Sequence, residues 1–346
     1  LSLAEAGKVF NALNQRGVSE SWLNRQLKPA INDRKPVVGS ANTSWRDVVA
    51  AAQSLKFTFR LNVLNDTVEV NGERMSDVTE AKLLSHLHDM GFKNVEVARR
   101  AFMTQADECR YHPVKHYLQS LKWDGADHIA KLAGYFSDGH EPIRYEDGST
   151  RKVFHAWLNR WLIGAVGKVF DPRNVQNFML ILDGAQGKGK SYFTKWLCPL
   201  ADLHMESAIR TEDKDFMGYL STKWMWEVGE LGATIRKSDR EALKAFITQI
   251  DVTYRPPFGR YAISKPALAS FIGTVNMDGG LLNDPTGHRR FCPVELVDID
   301  WAYVTQVDVN QVWAQAYALY RAKESWRLST EEKISHAGIV QTYEVE

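Results

Sequence analysis

Cysteine is scarce in this chain. The three in 346 residues, Cys109, Cys198 and Cys292, lie far apart, with no C-x-x-C pair and no histidine pair at zinc-ligand spacing. A disulfide framework and a structural zinc site are both excluded, and buried thiols in a reducing compartment are expected. No apolar run approaches the ~20 residues that span a bilayer, and the first residues lack the basic-then-apolar order of a secretory signal. A cytoplasmic protein without a membrane contact is therefore expected. Excess charge of one sign is missing too. With 43 Lys and Arg against 42 Asp and Glu the formal net charge is +1, which gives no global basic field, so any nucleic-acid contact must be local. There is no internal repeat, and a balance of 44% hydrophobic and 25% charged residues excludes disordered and fibrous chains.

What is present is enough chain for two or three compact units. It begins at Leu1 rather than Met, so a piece of a longer polypeptide, or a processed product, is expected. Residues 1–44 read as a helical lead-in followed by an Asn-, Ser- and Pro-rich linker. Residues 45–150 read as an α-rich domain with one β-hairpin, Phe57 to Val63 paired with Thr67 to Val70, ending in a polar loop from Ser137 to Ser149. A helix is expected over Val153 to Val169. In residues 151–300 short apolar runs, Phe178 to Leu182, Trp224 to Val228, Ala269 to Val275 and Phe291 to Val297, alternate with helical segments. That order implies an α/β fold with a central parallel sheet covered on both faces. Residues 301–346 form a helical C-terminal segment. The 11 tryptophans are expected to be core anchors. His86 and His88 share a helix but lack a third ligand, and solvent-facing side chains are expected.

The sharpest motif follows the first of those apolar runs. Gly184, Ala185, Gln186, Gly187, Lys188, Gly189, Lys190 and Ser191 fit G-x-x-x-x-G-K-[ST] without deviation, between a strand and a helix beginning near Tyr192. The glycines let successive N–H groups converge, and the helix N-terminus adds partial positive charge, so phosphate oxygens belong there. Lys190 is expected to reach the β- and γ-phosphates of ATP, and the Ser191 hydroxyl to ligate Mg²⁺. Alone, the loop fits a kinase, a switch or a motor.

Three further features are the companions an ATPase needs. Glu227 ends the run Trp224 to Trp226, with Glu230 three residues on. One carboxylate is wanted for the metal and one for the attacking water. Glu227 is assigned to Mg²⁺ and Glu230 to the water, with exchange of the two open. Asn276 ends another strand, where a polar tip can lie between water and γ-phosphate. Arg289 and Arg290 precede a strand, and a guanidinium suits transition-state charge on phosphate, here on a neighbouring subunit's ATP. A surface arginine pair is the plainer alternative.

Between Glu230 and Asn276, a helix carrying Lys244 leads into a run where cations and rings alternate: Tyr254, Arg255, Phe258, Arg260 and Lys265 around a Pro-Pro-Phe-Gly tip. Cations hold phosphates and rings stack on bases, which suits single-stranded nucleic acid without strong sequence preference. The alternative is a structural hairpin whose Arg255 or Arg260 senses nucleotide at a subunit boundary.

The ordered set Tyr111-His-Pro113, Trp123-Asp-Gly125, Gly184 to Ser191, Trp226 to Leu231, Tyr254 to Arg260, Thr274-Val-Asn276 and Gly287 to Phe291 resembles the virulence-associated protein E family, itself similar to the superfamily 3 helicases. The resemblance implies a P-loop ATPase of AAA+ type, a hexameric ring, and a phage or mobile-element replication module, often joined to an upstream primase or polymerase domain. It further implies that the Tyr254 to Lys265 stretch carries a hairpin facing a central channel, and hence an ATP-dependent helicase on single-stranded DNA in a host cytoplasm. An ATP-switched assembly factor without unwinding is the alternative. One departure bears on Glu230: many superfamily 3 proteins carry two adjacent acids on the acidic strand, whereas Val228 follows Glu227 here.

Overall fold

The computed structural model describes residues 44–209, 214–229, 237–255, 261–276 and 290–343, with backbone alone at 214–215 and 237–241. The expected helices of the lead-in fall outside the described residues. The chain divides into two compact units that meet between His112 and Pro113.

In the first unit, helix α1 (Trp45–Ser54) starts at a capping box: Ser44 accepts from the Arg46 N–H, and Asp47 accepts from the Ser44 N–H. The expected hairpin is present as β1 (Phe59–Asn62) antiparallel to β2 (Thr67–Val70), in the register Phe59 to Val70. Its turn places Asp66 at φ 54°, a left-handed conformation that short Asp side chains tolerate. A short β3 (Glu73–Arg74) extends the ribbon on one side. On the other, β4 (Arg110–Tyr111) pairs parallel with β1. Helices α2 (Asp77–Asp89) and α3 (Val95–Glu108) supply Leu83, Leu87 and Phe102 to a core shared with Val48, Ala52, Phe59 and Val70. Phe102 stacks on Phe59 with ring centroids 5.0 Å apart.

The second unit opens with α4 (Pro113–Ser120) and α5 (His128–Gly134), then β5 (Phe136–Asp138) and a small ribbon of β6 (Ile143–Arg144) and β7 (Thr150–Arg151). The long helix α6 (Val153–Phe170) leads to β8 (Met179–Asp183), the loop and α7 (Lys190–Leu197). After them come β9 (His204–Glu206), α8 (Lys214–Thr222), β10 (Met225–Val228) and α9 (Lys237–Ile247). The hairpin β11 (Asp251–Tyr254) and β12 (Ile263–Pro266) precedes β13 (Ser270–Val275) and β14 (Phe291–Ile299). The chain closes with α10 (Tyr303–Gln306), α11 (Val309–Arg321) and α12 (Thr330–Thr342).

Among the described residues the main sheet has six strands, in the order β5-β14-β8-β13-β10-β9. All neighbours are parallel except β5, which runs antiparallel along β14. Every residue of β8, β10 and β13 is buried, as expected for parallel strands covered on both faces. The covering layer is rich in tryptophan. The indoles of Trp157, Trp161, Trp224 and Trp313 are fully buried, and each N–H donates to a backbone carbonyl, of Pro293, Phe271, Ala165 and Leu197 respectively. Buried indoles need such partners. Helix α12 is fastened by Glu332, 1% exposed, which accepts from Arg160 on α6 at 3.0 Å and from the Tyr145 hydroxyl at 3.0 Å.

The structure differs from the sequence reading around β5 and at β9. The stretch from Ser137 to Ser149, read as a polar loop, carries most of edge strand β5 and the first strand of the β6–β7 ribbon. The unit boundary accordingly falls at 112–113 rather than 150–151, because β5 pairs with β14 through Phe136 and Ile299 and α5 packs on α6. Strand β9 was also missed. Strands of two or three residues leave too little alternation to detect.

Candidate functional site

The site forms at the C-terminal edge of the parallel sheet. Strand β8 ends at Asp183, and the chain turns through Gly184 at φ 153° and Gly187 at φ 81° before Gly189, at φ 95°, starts α7. These values are open to glycine and rarely to other residues. A side chain at Gly184 would press on the Leu296 carbonyl, and one at Gly189 on the Trp301 ring. The loop therefore sits tight against β14 and the turn after it, with the N–H groups of the first α7 turn left for a ligand.

Lys190 is 6% exposed. Its ammonium donates to the carbonyls of Gly184 at 2.5 Å and Ala185 at 3.0 Å, and to Asn276 Oδ1 at 3.2 Å. Burial lowers its pKa from the ordinary lysine value, with the nearby Asp183 carboxylate acting in the opposite direction. The loop thus holds its own cation against the end of β13. Lys188 points elsewhere and pairs with Asp298 at 3.2 Å.

Glu227 lies two strands from β8, since β13 with its Asn276 tip comes between. It is 1% exposed. Oε2 accepts from the Thr194 hydroxyl of α7, while Oε1 is buried with no hydrogen bond among the described residues. Burial raises the Glu227 pKa above the ordinary carboxylate value; the Ser191 and Thr194 hydroxyls oppose this, and Glu206 adds to it. A buried carboxylate oxygen without a donor is costly, and a hard divalent cation near Ser191 is the type of group that would satisfy it. The Ser191 and Glu227 oxygens fit Mg²⁺ in kind.

Sequence reasoning missed two neighbours of Glu227. Glu206 stands opposite it in the β9–β10 register and lines the same pocket as the loop. His204 Nε2 is 3.8 Å from Glu227 Oε2, and burial lowers its pKa. A short edge strand bearing an acid is the only signal they left.

The pocket has a volume of about 360 Å³. It joins the loop from Gln186 to Tyr192 with Glu206, Gly229, Thr274, Asn276 and Trp301. Lys190, Ser191, Tyr192 and Asn276 are thus together, with Glu227 directly behind. Glu230, Phe258, Arg260 and Arg289 lie outside the described residues.

Arg290 is elsewhere. It precedes Phe291, which pairs with Met179 at the start of β8, whereas the loop follows the end of β8. Six residue steps at ~3.3 Å separate the two levels, roughly 20 Å along the strands. Arg290 cannot reach the phosphates of its own chain's loop.

The hairpin β11–β12 joins the sheet at that same far edge, through the start of β13. Arg255 is exposed and Lys265 half-buried there. Tyr254 is half-buried, with its ring against Gly218 of α8. Lys244 is a correction: at 5% exposure it is buried with Leu243, Phe246 and Ile247 on the core side of α9 and offers no surface to a strand. His86 and His88 are both exposed on α2. No described helix is long and apolar enough to cross a membrane.

Residues 118–345 match the family model of the virulence-associated protein E-like domain. No curated protein matches the chain. Among solved structures, the apo C-terminal region of NrS-1 (305–718) is similar, with a TM-score of 0.52 at 18% identity over 86% of this chain and 74% of that one. The A form of the same apo region gives a TM-score of 0.50 at 16% identity over 86% of this chain and 75% of the other. At such identities the likeness concerns the fold.

Proposed function

Since the chain belongs to the virulence-associated protein E-like domain family, we propose that it is an ATP-dependent translocase of the superfamily 3, AAA+ type. In this reading it acts on single-stranded DNA as a ring, within a replication module that includes a primase or polymerase domain. ATP occupies the loop from Gly184 to Tyr192. Ser191 and Glu227 would hold Mg²⁺, which would supply positive charge to neutralise the phosphates. Asn276 faces the γ-phosphate side, and Glu206 or Glu230 orients the attacking water.

One observation carries this reading beyond nucleotide binding. Strand β13 is a six-residue link between the hairpin at one edge of the sheet and Asn276, which contacts Lys190, at the other. A change of phosphate state at Lys190 and Asn276 can therefore displace the hairpin through one buried strand, the coupling a motor needs. The distance from Arg290 to its own loop favours action on a neighbour's nucleotide, with Arg289 beside it in sequence. That arrangement makes the ring part of the catalytic site.

The test is ATP hydrolysis with and without single-stranded DNA, on the wild type and on Arg255→Ala/Lys265→Ala. Stimulation by DNA in the wild type, lost in the double variant while basal hydrolysis persists, is the expected result. Hydrolysis that ignores DNA in both proteins, with assembly alone following ATP, would replace the motor by a nucleotide-controlled assembly switch.

A further inference from the structure

The pocket has two chemically different ends. One is the glycine loop with Lys190 and the N–H groups that open α7, which have no partner within the helix. The other is aromatic: Tyr192, on the first turn of α7, and Trp301, just after β14, face each other with ring centroids 5.0 Å apart and planes inclined by 49°. Both are half-exposed, Tyr192 at 47% and Trp301 at 48%. That exposure sets Trp301 apart from the tryptophans of the core. Trp157, Trp161, Trp224, Trp226 and Trp313 are fully buried, so Trp301 is not serving as a core anchor.

Its position is built in. Gly189 is the one loop residue whose missing side chain makes room for the Trp301 ring, and the same glycine is required by its φ of 95°. The Asp300 carboxylate accepts from the Ala302 N–H at 2.9 Å, and the Val304 N–H donates to the Trp301 carbonyl at 3.1 Å. The backbone on both sides of the ring is thus fixed. A ligand matching both ends of the pocket is a polyanion joined to a flat, weakly polar ring. A nucleoside triphosphate has that form, and a base laid on an aromatic face is stabilised by stacking whatever its identity.

We propose that Trp301, braced by Tyr192, is the platform for the nucleobase of the bound nucleotide. The proposal rests on the reading of the loop as an ATP site and adds a base-binding residue to it. Stacking on a ring reads the base by its flat face, so purines bind more tightly than pyrimidines and discrimination within the purines is weak.

The test compares ATP with inorganic tripolyphosphate, both with Mg²⁺, by calorimetric titration of the wild type, Trp301→Leu and Trp301→Phe. Leucine keeps an apolar cover over Gly189 without a π face, and phenylalanine keeps a smaller π face. Trp301→Leu should weaken ATP about tenfold or more and leave tripolyphosphate unchanged, with Trp301→Phe retaining most of the ATP affinity. Unchanged ATP affinity in Trp301→Leu overturns the proposal. So does equal weakening of both ligands, which would make Trp301 a brace for the loop alone. Should Trp301→Leu melt below the assay temperature, Tyr192→Leu with the same two ligands takes its place, with the same expected selective loss. A wild type that binds neither ligand would instead remove the ATP-site reading itself.

Discussion

The ammonium of Lys190, the first residue of α7, donates to Oδ1 of Asn276, the residue after β13, at 3.2 Å. The contact ties the phosphate loop to the strand that also carries the hairpin. Replacing Asn276 by Ala removes the polar tip and leaves the two carbonyl partners of Lys190 in place. ATP binding should stay within a few fold of wild type, while the hydrolysis rate falls by about 10²-fold, the usual size for a lost oriented polar group. Single-turnover hydrolysis beside equilibrium binding separates the two effects.

Glu227 carries the opposite tension, between stability and chemistry. Burial raises its pKa above the ordinary 4.5, so the folded chain holds this proton to higher pH than the unfolded chain does. Below pH 4.5 the group costs nothing. As pH rises from there through the raised value, the folded state loses stability, and the loss is complete above that value. Glu227→Gln removes the ionisable group and keeps an acceptor for Thr194. At neutral pH it should be more stable than the wild type, with a difference that vanishes below pH 4.5. Mg²⁺-dependent hydrolysis should be abolished. Urea denaturation across the pH series reads the first effect, and phosphate release the second.

Lys190, Glu227 and Asn276 indicate how much of the site could be read in the sequence. The loop was legible because its turn needs positive φ at Gly184, Gly187 and Gly189, and that backbone geometry dictates glycine. Glu227 and Asn276 were legible because each ends a strongly apolar run. What escaped notice was set by tertiary pairing. Glu206 reaches the pocket only because three residues of β9 pair with β10. Trp301 reaches it because the chain after β14 turns back over Gly189. Lys244 misled because a lysine on an amphipathic helix reads as exposed, whereas α9 turns that face inward. In the fold, the hairpin and the parallel strands were visible through their long periodic runs. The β5–β14 pairing, which moves residues 113–150 into the second unit, rests on short contacts that leave no periodicity.

Gly189 offers a direct check of the loop geometry. An alanine there must hold φ near 95° and displace the Trp301 ring. Gly189→Ala should lose about 1–2 kcal/mol of stability and most ATP affinity. Adding Trp301→Ala relieves the collision and leaves the backbone strain, so the double variant should recover only part of the stability. A melting series on the two single variants and the double reads the coupling.

A structural prediction concerns the fastening of α12. Glu332 is buried against Arg160 and Tyr145. Glu332→Ala strands the Arg160 guanidinium, itself largely buried, and should cost about 3–5 kcal/mol. Arg160→Met/Glu332→Leu, which removes both charges, should recover much of that loss. Chemical denaturation of the two variants is the measurement.

The central claim, that the loop from Gly184 to Ser191 with Glu227 behind it is a site for ATP and Mg²⁺, is tested most directly by titrating ATP into the wild type and Lys190→Ala, with Mg²⁺ and with EDTA. The account predicts saturable binding by the wild type, weakened by EDTA and lost in a folded Lys190→Ala. A folded wild type that takes up no ATP, or binds it equally well without Lys190, would contradict it.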